Sequence, residues 1–137
     1  MNSELCKIDN WFKANKLSLN VKKSSYMMFI PRNLTHNNSL PTVHIDHNTL
    51  EKVAVTKFLG VLIDDNLTWK THISFVSNKI GKNIGIIRRI IHLVSRKILL
   101  NLYYTMIYPY FPYCNVVWCM AYKTTLNSLV IIQKRTL

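Results

Sequence analysis

The adjacent carboxylates Asp64-Asp65 are the first feature of this sequence that could do chemistry; they follow an apolar run and precede Asn66. Two-metal phosphoryl transfer uses clustered carboxylates to hold two cations about 3.5–4 Å apart. Asp also tolerates turn geometry, so a plain turn explains the same pair. The chain has 137 residues and six acidic side chains in all, so further carboxylate partners are scarce. The five histidines, His36, His44, His47, His72 and His92, have no metal-ligand spacing with the cysteines, and His44-x-x-His47 is a weak pattern by itself. Cys6, Cys114 and Cys119 are odd in number, widely spaced and without a C-x-x-C pair. That argues against a disulfide scaffold or a zinc knuckle and fits a reducing compartment. No Ser, Cys and His set for nucleophilic catalysis can be picked out. No metal ligand is assigned.

The strongest compositional signal is charge. Eighteen Lys and Arg against six Asp and Glu give a net charge of +12. Such an excess favours a polyanionic partner, nucleic acid or an anionic lipid surface. Lys79, Lys82 and Arg89 recur at three and seven residues and fall on one face of a helix-forming stretch. Such a face can neutralise phosphates without reading sequence, or be no more than a solvated surface. Lys22 and Lys70 could extend the contact. Met1–Asn10 carries Glu4 and Asp9 and no apolar run, so it does not read as a signal peptide. The expected location is intracellular, cytoplasmic or nuclear. The three N-x-S/T sequons therefore carry no meaning.

These residues need elements to position them. About half the chain is apolar, enough for a core. Leu5, Ile8, Trp11 and Phe12 predict a short amphipathic helix over Leu5–Ala14, broken by Asn15-Lys16. Tyr26–Ile30 reads as a buried strand ended by Pro31. Arg32–Pro41 reads as a loop. Thr42–Ile45 and Thr49–Val55 read as two strands around a turn, and Phe58–Ile63 as another strand. From His72 the pattern is helical, with Ile73, Val76, Ile80, Ile84, Ile87, Ile91 and Val94 at spacings of three and four. Arg96–Tyr108, Pro112–Tyr122 and Thr125–Arg135 are three further expected helices, punctuated by Pro109 and Pro112. The expected fold class is α+β, an N-terminal helix with short antiparallel strands followed by an all-helical part. The expected division is residues 1–70 and 71–137.

Ile98–Tyr122 carries no charge and is flanked by Lys97 and Lys123, so its length alone would allow a membrane span. Asn101, Asn115, two prolines and six tyrosines in that run suit helices packed within protein better. Membrane association through residues 98–122 is the alternative reading, and no membrane partner is expected.

Several phrases also line up in order. They are Trp11-Phe12-Lys13-Ala14-Asn15-Lys16-Leu17-Ser18-Leu19-Asn20, then Lys22-Lys23-Ser24-Ser25-Tyr26-Met27-Met28-Phe29, then Lys57-Phe58-Leu59-Gly60-Val61. Behind these come Ile63-Asp64, Leu67-Thr68-Trp69-Lys70, His72-Ile73, Tyr108-Pro109-Tyr110, Tyr113-Cys114, Trp118 and Gln133-Lys134-Arg135. The ordered set resembles the reverse transcriptases of LINE-type (non-LTR) retrotransposons, of the jockey kind and its relatives, over almost the whole chain. The resemblance implies the region that follows the catalytic Tyr/Phe-x-Asp-Asp hairpin. Residues 1–70 would be the end of a polymerase palm, and residues 71–137 a thumb-like region, truncated.

By this resemblance Lys23 matches the lysine near the incoming triphosphate, acting through charge or as an acid for the leaving pyrophosphate. Lys23-Ser24 stands where the family usually has Lys-Thr, so the hydroxyl is kept. Phe58, Leu59 and Gly60 take the primer-grip position, and a strand glycine there suits close approach of a primer backbone or a simple bulge. Asp64-Asp65 then falls in that later hairpin, which argues against metal ligation.

The family is an RNA-directed DNA polymerase, a nucleotidyltransferase using two magnesium ions. The resembling region lacks the catalytic aspartates. The expectation is a fragment without a cofactor of its own, inactive alone, retaining at most binding of an RNA template–DNA primer duplex and of the missing parts of the polymerase domain. A non-catalytic nucleic-acid-binding protein derived from a truncated element is the second expectation.

Overall fold

The computed structural model describes residues 2–29, 42–45 and 48–134. The expected loop over Arg32–Pro41 and the turn residues Asp46 and His47 lie outside the described residues, as do His36, Ile30 and Arg135. The chain divides into two compact units. One comprises Met1–Thr56 with Asp65–Leu67, the other Lys57–Asp64 with Thr68–Leu137. The boundary between the two thus runs between Thr56 and Lys57, with Asp65–Leu67 returned to the first unit.

In the first unit, α1 spans Asn2–Ala14. It stops where Lys16 takes a left-handed conformation, φ 56°. Leu17 N–H then donates to Phe12 O at 2.9 Å and Lys16 N–H to Lys13 O at 3.1 Å, the paired bonds of a Schellman stop. A 3-10 turn at Val21–Lys23 leads into β1, Ser25–Tyr26. The expected strand over Tyr26–Ile30 is thus only a stub, and Phe29 is exposed. β1 pairs in parallel with β4, Glu51–Lys52, whereas β2, His44–Ile45, pairs antiparallel with β3, Asn48–Thr49. One of the short pairs thus departs from the antiparallel expectation. Val43, Ile45 and Leu50 are the buried residues, covered by Leu5, Leu19, Val21 and Tyr26.

In the second unit the tip and second strand of a hairpin meet a set of helices. β5 spans Val55–Phe58 and β6 Val61–Asp64, so the apolar run expected to be one strand turns back on itself at Leu59-Gly60. α2 spans Lys70–Ile90, α3 Arg96–Met106 and α5 Lys123–Lys134. Between the last two lie a 3-10 turn, Tyr108–Tyr110, and the single turn α4, Asn115–Trp118. The expected helix over Pro112–Tyr122 is reduced to that turn, because Cys114 takes a left-handed φ of 51°. Among the described residues no helix is long and apolar enough to cross a membrane, and the uncharged run Ile98–Tyr122 is interrupted twice.

α2 is the organising element of this unit and packs on β6, α3 and α5. Ile73, Val76 and Ile80 of its apolar face are buried with Val61, Trp69, Ile107, Trp118, Ala121 and Leu129. Burying each large apolar side chain contributes about 1.5–3 kcal/mol, so this cluster supplies most of the unit's stability. Asn83 Nδ2 donates to Met106 O at 2.6 Å and fixes the end of α3 against α2. The α+β class expected from sequence is the class observed.

Candidate nucleic-acid interface

The hairpin tip is shaped by two consecutive residues with positive φ, Leu59 at 46° and Gly60 at 85°. A two-residue loop with positive φ at both central positions matches the right-handed twist of the flanking strands. Gly60 adopts this conformation freely, whereas an L-residue such as Leu59 loses about 1–2 kcal/mol there. The tip is tied down by Tyr113, whose hydroxyl donates to Leu59 O at 2.5 Å. Phe58 and Leu59 are 62% and 74% exposed. Large apolar side chains left open at a hairpin tip are free to contact a partner.

Two buried polar side chains join the hairpin to α2. His72 is 2% exposed, and its Nδ1 accepts the Leu62 backbone N–H at 3.2 Å. Desolvation holds its pKa below the ordinary 6.5, so the ring is neutral at neutral pH. Asp64 is 7% exposed and accepts the Thr68 N–H at 2.7 Å and the Trp69 N–H at 2.9 Å. Burial raises its pKa, but the hydrogen bonds from Thr68 and Trp69 outweigh it and the net direction is down. Asp64 thus holds the two amides just before α2 and orders the turn that enters the helix. Asp65 Oδ1 accepts Asn66 Nδ2 at 2.6 Å. Among the described residues no three His, Cys, Asp or Glu side chains gather around a common point.

Beside the hairpin tip lies a groove of ≈ 340 Å³ lined by Lys57, Gly60, His72, Phe75, Val76, Lys79, Pro109, Tyr110 and Tyr113. Phe75 is the aromatic centre of its cationic edge. Lys79 Nζ lies over its ring at 5.3 Å from the centroid and Lys57 Nζ at 5.8 Å. At exposed sites such contacts are worth about 0.5–1 kcal/mol, weak enough to be given up for an anion. Among the described residues the ion pairs are Lys7–Glu4 and Lys13–Asp9, so neither groove lysine has a carboxylate partner there.

Lys79, Lys82 and Arg89 are all exposed on α2. At about 100° per residue they occupy an arc of about 80°, and Lys70 points about 180° from Lys79. Lys70 instead lines a separate groove with Ser74, Ser77, Thr124, Thr125 and Ser128. The structure thus joins Gly60 and Lys79 at one groove, continues from Lys79 to Lys82 and Arg89, and leaves Lys70 off that line.

Lys22 and Lys23 belong to the other unit, exposed on the 3-10 turn. The Ser24 hydroxyl next to them donates to Asn20 O at 3.0 Å, so it closes the local turn.

Sequence reasoning missed Lys57, Phe75, Tyr110 and Tyr113 as members of the groove. Phe75 stands four residues before Lys79, which on a helix makes the two side chains neighbours. That signal was readable. Tyr113 is brought in by the irregular chain after α3, where no periodicity points. No family model, curated protein or solved structure matches this chain.

Proposed function

We propose that this chain is the post-catalytic region of a LINE-type reverse transcriptase, the end of the palm and the start of the thumb. Its own capacity is sequence-independent binding of a template–primer duplex. The observation that carries this reading is the hairpin tip at Leu59-Gly60, with Lys57 and Lys79 over Phe75 beside it and a line of cations running along α2. Phe58, Leu59 and Gly60 stand in the primer-grip position by resemblance, and an exposed tip next to unpaired ammonium groups suits a phosphate backbone. The net charge of +12 acts in the same direction. By resemblance Lys23, in the first unit, is the triphosphate lysine of the intact enzyme, with Lys22 beside it as a phosphate contact.

The catalytic magnesium ions belong to carboxylates that these 137 residues do not hold as a Tyr/Phe-x-Asp-Asp set. Asp64 is already committed to the Thr68 and Trp69 amides. The expected result is salt-sensitive binding of a short RNA–DNA hybrid, measured by fluorescence anisotropy, with no primer extension in magnesium and deoxynucleotides. Binding that is absent or indifferent to salt would overturn the reading. Incorporation above a no-protein control would overturn its restriction to binding.

A further inference from the structure

We infer that the groove beside the hairpin tip seats one unpaired nucleotide of a bound strand, its base among Phe75, Tyr110 and Tyr113 and its phosphate at Lys57 and Lys79. This rests on the proposed duplex binding and adds a site that backbone contact alone does not require. Three aromatic rings line the groove, contributed by α2 and by the chain after α3. A volume of ≈ 340 Å³ is at the small end for ligand pockets, the size for one base rather than a run of them. Every nucleobase has a π-face, so such a seat tolerates any sequence. The two ammonium groups rest on a ring face with no carboxylate partner among the described residues. Both lysine side chains are exposed and flexible, so they can swing from the ring to a phosphate as the base enters. No Asp or Glu lines the groove to repel an anion. His72, neutral with Nδ1 occupied by the Leu62 N–H, adds no competing charge.

The test uses the full chain and three hybrid duplexes of equal length: blunt, with one unpaired abasic residue at the primer end, and with one unpaired nucleotide there. The gain from blunt to abasic reports the phosphate, and the gain from abasic to base reports stacking. The base is expected to tighten binding about tenfold over the abasic residue, a stacking gain within the usual range. Phe75→Leu keeps apolar volume and is expected to cut that gain below about twofold, with circular dichroism confirming the fold. Lys57→Gln with Lys79→Gln, both at exposed positions, is expected to remove the first gain. Equal binding of all three duplexes overturns the nucleotide seat and leaves the duplex reading intact. Binding of the base-bearing duplex alone keeps the seat and removes the duplex reading. Binding of none removes both. Displacement by a free mononucleotide at equal concentration overturns the assignment to a strand.

Discussion

His72 and Asp64 are buried where the hairpin meets the start of α2, and both depend on a protonation state. The His72 pKa is lowered by desolvation, so the folded chain holds the ring neutral while the unfolded chain protonates it from about 6.5 downward. The Asp64 carboxyl is raised by burial but pulled below 3.8 on balance by its hydrogen bonds, so the folded chain keeps the carboxylate charged. In both cases the unfolded state binds more protons, and stability falls as pH falls. The two windows differ. His72 costs stability as pH drops below 6.5 toward its lower folded value, and Asp64 does so below 3.8. Urea unfolding followed by tryptophan fluorescence from pH 8 to pH 3 is expected to show a first decline starting near pH 6.5. In His72→Gln that first decline is expected to vanish, though the variant is less stable at pH 8. A His72→Gln profile parallel to the parent's would refute the assignment.

At the level of elements, the two-residue turn of the hairpin holds one strained position, besides those at Lys16, Leu67, Trp69 and Cys114. Leu59 occupies a left-handed position that Asn and Gly enter far more easily. Leu59→Asn is therefore expected to stabilise the chain by about 0.5–1 kcal/mol, since the side chain is exposed and the Tyr113 bond goes to a backbone oxygen. A thermal midpoint unchanged or lowered would show that the Leu59 side chain makes contacts that offset its backbone strain. The same turn shows where sequence reading stops. Phe58–Ile63 is apolar nearly throughout, and with Leu at the first turn position nothing but Gly60 marks the reversal. α2 was legible because Ile73, Val76 and Ile80 keep one helical face over about two turns, and those residues are the buried ones. Pro112–Tyr122 was not, since its apolar residues fit a helix while Cys114 breaks it with a positive φ. The candidate site divides the same way. Lys79, Lys82 and Arg89 follow from helix periodicity, whereas Tyr113 reaches Leu59 through a contact 54 residues apart that only tertiary structure creates.

Across the whole molecule the excess of twelve positive charges makes attraction to a polyanion certain in sign but not in place. Salt dependence supplies the place. Each phosphate neutralised contributes about 0.9 to the slope of log affinity against log salt on a double helix. If the line from Lys79 through Lys82 to Arg89 lies along the duplex, replacing all three by Gln is expected to lower that slope by about 2–3. These side chains are exposed, so their loss leaves folding untouched. Lys70 is the internal control, because it carries the same charge on the same helix but points about 180° away from Lys79. Lys70→Gln is expected to leave the slope within about 0.3 of the parent. Equal effects per charge at all four positions would mean that net charge alone drives binding and that no face of α2 is an interface. A large effect confined to Lys70 would move the interface to the hydroxyl-lined groove with Ser74, Ser77 and Thr125. The slope, unlike a single affinity, thus separates an oriented interface from an ordinary basic surface.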